Sequence, residues 1–298
     1  MNNKVSVVLP YVDSSDPEWR YSYIQRFGNA NYNPCRFRSW GTLKYLFRGV
    51  DKYLPFVDTI ILIVAAESQV PAWVNWDNVR IIYHKDFIPQ EYLPCFSSCT
   101  IESFLWNISD LPDRFIYFND DLFPNAPMDL TDFFIDDTPC IHFEFVDNFI
   151  KRLIFSSQCR NGMDMITDAL KLPRYPADDL ISTTHNVIPM LSTTIKTVGT
   201  LCKDTIPMTI SALRKPKNIN QYIYSYYHYF TNTYADANYT YEYLEISEDL
   251  SSLSSILNSD TQIICLNESK NIKIYNKTKA ELISLFDKKF SNSCRYEV

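Results

Sequence analysis

Arg114–Phe123 reads RFIYFNDDLF. Its first half, Phe115 to Phe118, is a short apolar run of the kind that forms a buried strand. At Asn119 the character switches, and Asp120 and Asp121 stand side by side before apolar residues resume at Leu122. Adjacent carboxylates against a buried strand are costly unless paired, hydrated or bound to a cation. The stretch therefore predicts a core strand with a site at its C-terminal end that uses negative charge.

Runs of the same kind lie upstream. Val5–Leu9 (VSVVL), Thr59–Val64 (TIILIV) and Val79–Tyr83 are apolar and β-branched, so each predicts a strand. Between them, Gly41–Tyr53 carries Leu43, Leu46, Phe47 and Val50 at helical spacing and is closed by Leu54-Pro55. Ser98–Ile108 predicts a further helix, starting near Ser98 or Thr100. Asp16 with Pro17 reads as a helix N-cap and first helical residue. Strands alternating with helices predict an α/β, Rossmann-like fold, a mostly parallel sheet flanked by helices. Such sheets bind ligands beyond their C-terminal strand ends. Asp13, just past the first strand, belongs to the same edge as Asp120 and Asp121.

After Pro127 the pattern weakens into a partly helical second half. Residues 160–215 read as irregular helix broken by Pro173, Pro176, Pro189 and Pro207. Asn218–Phe230 sets Ile219, Tyr222, Ile223, Tyr226, Tyr227 and Phe230 at helical spacing, an aromatic stripe that serves either as core or as a stacking surface for sugars. Thr261–Leu266 predicts a late strand. Lys277–Phe290 predicts a basic amphipathic helix that either packs on the core or touches a membrane surface.

The 298 residues suffice for one large α/β domain or two smaller ones. A net charge of -7 argues against a general nucleic-acid binder, whose affinity rests on basic residues. Only five glycines are present, and none builds a GxGxxG or GxxxxGK[ST] loop. A phosphate would then be held by arginine, a metal or a helix N-terminus. No GxSxG elbow occurs. Of eight cysteines only Cys95 and Cys99 are close, with no second pair or histidine in step. That predicts buried free thiols in a reducing compartment in preference to structural zinc. No signal peptide is expected at the start of the chain, and no apolar run reaches the roughly 18 residues of a membrane span. A cytoplasmic protein is expected.

Carboxylate chemistry remains. Asp-rich strand ends recur in enzymes that hold a nucleotide-sugar through Mg²⁺ or Mn²⁺. Successive residues of an extended chain point to opposite faces, so one of Asp120 and Asp121 is expected on the metal and the other as base or packing anchor. A loop cap or surface ion pair is the plainer alternative.

Larger blocks stand in a fixed order: VDSSDPEW (12–19); CRFRSWGTLKYLFRGVDKYLPFV (35–57), ILIVAAESQVPAWV (61–74), LPCFSSCTIESFLWNI (93–108) and FIYFNDDLF (115–123); HNVIPM (185–190); LRKPKNINQYIYSYY (213–227); then ICLNES and FSNSCRYE. Together they resemble the Stealth family of sugar-1-phosphate transferases, which includes bacterial capsule polymerases and the lysosomal-enzyme GlcNAc-1-phosphotransferase. The first is similar to the family's first block, the next four to its second, HNVIPM to its third and LRKPKNINQYIYSYY to its fourth.

The resemblance implies transfer of a hexose-1-phosphate, GlcNAc-1-phosphate among the candidates, from a UDP-sugar to the hydroxyl of a saccharide or lipid-linked glycan. UMP is released, and a phosphodiester forms in surface or capsular polysaccharide. Glu102, Asp121, His185 and Arg214 are the implied catalytic set. Asp13, Ser14, Asp16, Arg36, Arg38 and Asn119 are implied around the donor, and Asp120 and Asp121 on Mg²⁺ or Mn²⁺. These residue types suit phosphoryl transfer, in which positioning and charge neutralisation outweigh covalent catalysis. Arginine forks onto phosphate, and histidine exchanges protons near neutral pH.

Each of these residues also has a plainer reading: His185 as a core histidine, Arg214 in a solvated face, Glu102 on an exposed helix side. Ser14 stands where the family usually has Gly, and Ser39, Trp40 and Thr42 replace a more polar pattern. One catalytic unit over 1–298 is expected. A nucleotide-sugar-binding α/β half spans about 1–135, and a mostly helical half over about 136–298 completes the site. The alternatives are a metal-dependent glycosyltransferase releasing UDP and a non-catalytic carbohydrate-binding protein. Peripheral contact at the inner face of a bacterial membrane stays open.

Overall fold

The computed structural model describes residues 5–29, 32–146, 153–269 and 272–298. β1 (Val5–Pro10), β2 (Val57–Val64), β3 (Val79–Tyr83) and β4 (Arg114–Tyr117) run parallel. The strand Ile188–Leu191 joins antiparallel along β4, giving the order Ile188–Leu191, β4, β1, β2, β3. The expected α/β fold with a mostly parallel sheet flanked by helices is therefore present. The chain steps outward from β1 to β2 and β3, then returns to the far side of β1 for β4. Loops leaving β1 and β4 diverge at this switch point and open a crevice at the C-terminal strand ends. Asp13 follows β1 and Asn119–Asp121 follow β4.

The sheet is covered on both faces, which is why its strands read as near-continuous apolar runs. Val5, Val7 and Leu9 of β1 face one core; Val8, with Ile61 and Ile63 of β2, faces the other. α1 (Pro17–Phe27) starts as expected, with the Asp16 carboxylate accepting from Glu18 N at 3.0 Å. α2 (Leu43–Tyr53) places Leu43, Leu46, Phe47 and Val50 in the first core. Gly49 allows it close to β5 (Leu122–Pro124), because a Cβ there would lie 2.7 Å from the Pro124 carbonyl oxygen. The helix expected over Ser98–Ile108 divides into α3 (Ser98–Ser103), preceded by Ser97, and a 3₁₀ turn at Leu105–Asn107.

The second half holds more strand than expected. Glu144–Val146 pairs with Leu180–Ser182, and Tyr241–Glu245 runs parallel to Ile263–Asn267, which lies antiparallel to β5. Residues from both halves share the cores. Ile263, Ile264, Leu282 and Phe286 complete the α2 core, while Met163, Ile166 and Ile223 cover the other face.

The aromatic stripe, on the helix Tyr222–Thr231, is core: Tyr222, Ile223 and Tyr226 are at most 1% exposed. The C-terminal helix Tyr275–Lys289 packs in the same way, with Phe286 against Tyr45 at 5.3 Å and Phe123 at 4.9 Å. Its apolar face is taken by the core and is not left for a membrane surface. Among the described residues no helix is long and apolar enough to cross a membrane. All eight cysteines are free thiols, six of them buried.

Candidate active site

A cleft of about 800 Å³ opens at the C-terminal edge of the sheet. Glu102, Asp121, His185 and Arg214, far apart in sequence, all line it, together with Arg36, Arg38, Asn119 and Asp120. Asp13, Ser14 and Asp16 are not among its lining residues.

β4 delivers the two acids. Phe118 N donates to Val8 O at 2.9 Å, after which the chain turns at Asn119 and enters β5. Asp120 lies within electrostatic reach of Tyr11 on the β1 side, and Asp121 lies beside His185. Asp120 is open to solvent but walled in by the cleft. That enclosure, followed by the charge of Asp121, pushes its carboxyl up to about 7. Asp121 Oδ1 is buried without a hydrogen-bond partner, 3.4 Å from His185 Nε2. Asn119 Nδ2 lies 3.0 Å from the same Nε2. Burial disfavours the imidazolium of His185, but the Asp121 carboxylate outweighs it and the net shift is upward.

The backbone around His185 is strained. Thr184, just before it, has φ 58, a left-handed conformation unusual for a β-branched residue. Such strain costs on the order of 1–3 kcal/mol and clusters at functional sites. Tyr222 Oη, donating to Thr184 O at 2.6 Å, helps hold it. Ile188 pairs with Tyr117, so the residues just before that strand meet the C-terminal end of β4.

Glu102 is not on an exposed helix side; it is 3% exposed. Its Oε1 accepts from Tyr117 Oη at 3.2 Å and its Oε2 from Gln221 N at 3.0 Å, tying α3 to β4 and to the start of the Tyr222–Thr231 helix. Burial raises its pKa, with Arg214 opposing. Arg214 is exposed, and its Nη2 donates to Ser98 Oγ at 2.6 Å. Arg36 is close enough that burial and then the Arg214 charge lower its pKa. Two guanidinium groups in one cleft, neither in an ion pair among the described residues, suit a phosphate.

Arg38 is differently employed. It forms a bidentate ion pair with Glu268, lies 4.5 Å over the Tyr275 ring, and Trp40 Nε1 donates to the same Glu268 at 2.7 Å. The loop after Cys35 is thereby fastened to the end of the Ile263–Asn267 strand, and Arg38 Nε and Nη2 are committed to that pair while the residue still lines the cleft. Asp16 is likewise occupied as a cap, accepting also from Gln69 Nε2 at 2.6 Å and Ser68 Oγ at 2.8 Å. Ser14 Oγ lies 2.6 Å from Tyr32 Oη, and the Asp13 carboxylate accepts from Ser15 N at 2.8 Å. These three residues shape the loop after β1.

The sequence reading missed several partners. Gln69 clamps that loop, its Oε1 accepting from Asp13 N at 2.7 Å and its Nε2 donating to Asp13 O at 2.9 Å. Cys265 and Glu268 lay within the quoted ICLNES block, which was the signal available. Tyr243 had none, because YEYLE reads only as an alternating strand.

Asp121, His185 and Cys265 offer ligand atoms within 4.8 Å of one another, and Asp120 is outside that group. This differs from the expected Asp120–Asp121 pair. Cys265 is fully buried, its thiol held protonated by burial and then by Asp121, and sulfur suits Mg²⁺ poorly. The oxygen donors do fit a hard cation. Asp121 Oδ1 lacks a partner, and Asp120 is disfavoured as an anion beside it. A divalent ion relieves both.

Residues 36–140 match the family model described as Stealth protein CR2, conserved region 2. The chain is 27% identical to the receptor polysaccharide phosphotransferase WefC of Streptococcus oralis, over 99% of this chain and 100% of that protein. It is also 27% identical, across the same shares, to the capsular polysaccharide phosphotransferase WcwK of Streptococcus pneumoniae. Among solved structures, the apo-form glycosyltransferase GlyE of Streptococcus pneumoniae TIGR4 covers 99% of this chain and 65% of its own, at 13% identity and a TM-score of 0.40. The Stealth resemblance read from the sequence is borne out: the chain carries the family's second conserved region and is related along its whole length to polysaccharide phosphotransferases.

Proposed function

We propose that this Stealth relative transfers a hexose-1-phosphate, GlcNAc-1-phosphate among the candidates, from a UDP-sugar to an acceptor hydroxyl on a saccharide or lipid-linked glycan. The product is a phosphodiester in capsular or surface polysaccharide. The observation that carries the reading is one cleft holding both an Asp121–His185 pair and the guanidinium groups of Arg36 and Arg214, which make no ion pair among the described residues. The relatives named polysaccharide phosphotransferases support the same reaction class.

The acceptor oxygen attacks the phosphorus that bears the sugar. The new O–P bond forms as the bridging P–O bond to UMP breaks, and UMP leaves with that electron pair. His185 takes the hydroxyl proton and returns it to solvent, its imidazole oriented by Asp121. Arg36 and Arg214 neutralise the phosphoryl oxygens as charge shifts onto the leaving phosphate. Asp120 and Asp121 would hold Mg²⁺ or Mn²⁺, which when bound supplies charge neutralisation at the diphosphate. Glu102 orders the walls from which Arg214 and Gln221 project.

Released nucleotide tests the proposal. The chain is incubated with UDP-sugars, Mg²⁺ and saccharide or lipid-linked acceptors, and the nucleotide is identified. UMP is expected. UDP as the product would mean attack at the sugar carbon, an ordinary glycosyl transfer, and would overturn the reading.

A further inference from the structure

We propose that Tyr243, with Tyr241, is the saccharide platform that receives the acceptor, on the side of the cleft where β5 and its partner strands lie. The assignment rests on the phosphotransfer reading above. The strand Tyr241–Glu245 lies at the edge of its sheet, and its alternate residues share a face, so Tyr241 and Tyr243 both line the cleft. Tyr243 is 41% exposed, in contrast to Tyr222, Tyr224 and Tyr226, which are at most 1% exposed. Its ring is nevertheless fixed: Asn267 Nδ2 donates to its hydroxyl at 2.5 Å. The ring centroid lies 6.2 Å from that of His185. Glu144, exposed on the two-stranded sheet formed with Leu180–Ser182, lines the same cleft and lies within electrostatic reach of Tyr241.

A fixed, solvent-facing aromatic ring beside carboxylate and amide groups is sugar-binding chemistry. The apolar C–H face of a pyranose covers the ring, and the polar groups take its hydroxyls. Among the described residues no contact covers the exposed face of Tyr243. In-line displacement adds a direction. The acceptor must approach opposite the leaving nucleotide. A pyranose on Tyr243 brings a hydroxyl to His185 from the β5 side, leaving the β1–β3 strand ends and the arginines for the donor. Because the Tyr241–Glu245 strand is an edge, a longer glycan has room to run outward.

Saturation-transfer NMR on the full chain tests this, with methyl β-D-galactopyranoside, methyl β-D-glucopyranoside and methyl N-acetyl-β-D-glucosaminide as probes and UDP affinity followed by calorimetry. At least one glycoside is expected to receive saturation on its ring protons. Tyr243→Ala should abolish it, while Tyr243→Phe and Tyr243→Trp, which keep a ring, should retain it. UDP affinity of the alanine variant should stay within about twofold of wild type, under 0.5 kcal/mol. Absence of saturation with all three probes in wild type, or saturation undiminished in Tyr243→Ala, overturns the platform. A tenfold or greater loss of UDP affinity in Tyr243→Ala also overturns it, since the ring would then belong to the donor. A chain that binds a glycoside through Tyr243 but no UDP keeps the platform and sinks the phosphotransfer reading.

Discussion

The seam between α2 and the C-terminus and the cleft at the strand ends hold charge in opposite ways. In the seam, Arg48 Nε and Nη2 donate to the two Glu297 oxygens at 2.7 Å each, and Nη1 donates to Phe290 O at 2.7 Å. Burial works against the Glu297 carboxylate, but the Arg48 hydrogen bond and its neighbours outweigh it and hold its pKa below the usual range. In the cleft, like stands beside like: Asp120 by Asp121, Arg36 by Arg214. The seam is complete without a ligand. On the proposed reading, the cleft is completed by a phosphate at its arginines and a cation at its carboxylates. Groups matched internally hold a fold together, and groups left mismatched mark where something else binds.

The comparison breaks most sharply at Asp121 and Arg214. Asp121→Asn should lower turnover by roughly a thousandfold, and Arg214→Lys, which keeps charge but loses the fork, by about a hundredfold, or about 3 kcal/mol. Melting temperatures should hold or rise, because Asp121 Oδ1 is buried without a hydrogen bond and Arg214 makes no ion pair among the described residues. Normal turnover of Asp121→Asn in saturating Mg²⁺ would mean that the mismatched carboxylates serve no chemistry.

Arg48→Ala should show the converse. Removing one partner of a mostly buried pair leaves Glu297 uncompensated and is expected to cost about 3 kcal/mol. Urea unfolding reads the loss, and turnover per folded molecule should be unchanged. A cost below about 1 kcal/mol would place this seam with ordinary surface ion pairs.

A pH dependence at Asp120 gives a further test. Its folded pKa is raised to about 7, against about 4 in an unfolded chain. The folded state therefore binds more protons between those values, and stability falls as pH rises through that window. In chelator-treated protein, Asp120→Asn should melt close to wild type at pH 4 and above it at pH 8. Saturating Mg²⁺ should close the gap. A gap of the same size at both pH values would show that Asp120 is not held against its neighbour's charge.

Parts of both regions were legible in advance, for different reasons. RFIYFNDDLF announced a strand and an acidic strand end because the apolar run and the switch to Asp are contiguous. Asp16-Pro17 announced a helix start because capping is settled within a few residues. The chain's likeness to the Stealth blocks brought Glu102, Asp121, His185 and Arg214 onto one page, and the fold puts all four in one cleft. The aromatic stripe at 218–230 had the right period but two readings, since periodicity does not say what covers a face. The sheet covers it, and the exposed cleft tyrosine is Tyr243, which no pattern marked.

By itself the sequence determined the strands β1 to β4, the helix α2, the start of α1 and the standing of Asp120 and Asp121 at a strand end. Each depends on residues within one turn or one strand of each other. Only the tertiary structure decided that Arg38 pairs with Glu268, 230 positions away. It alone set Cys265 under Asp121 and His185, and bound Glu102 to a backbone amide 119 positions on. Such contacts form where the chain returns on itself, and their energy depends on burial and on the distance between partners. Neither quantity exists until the sheet has closed its two cores, so no local pattern can carry it.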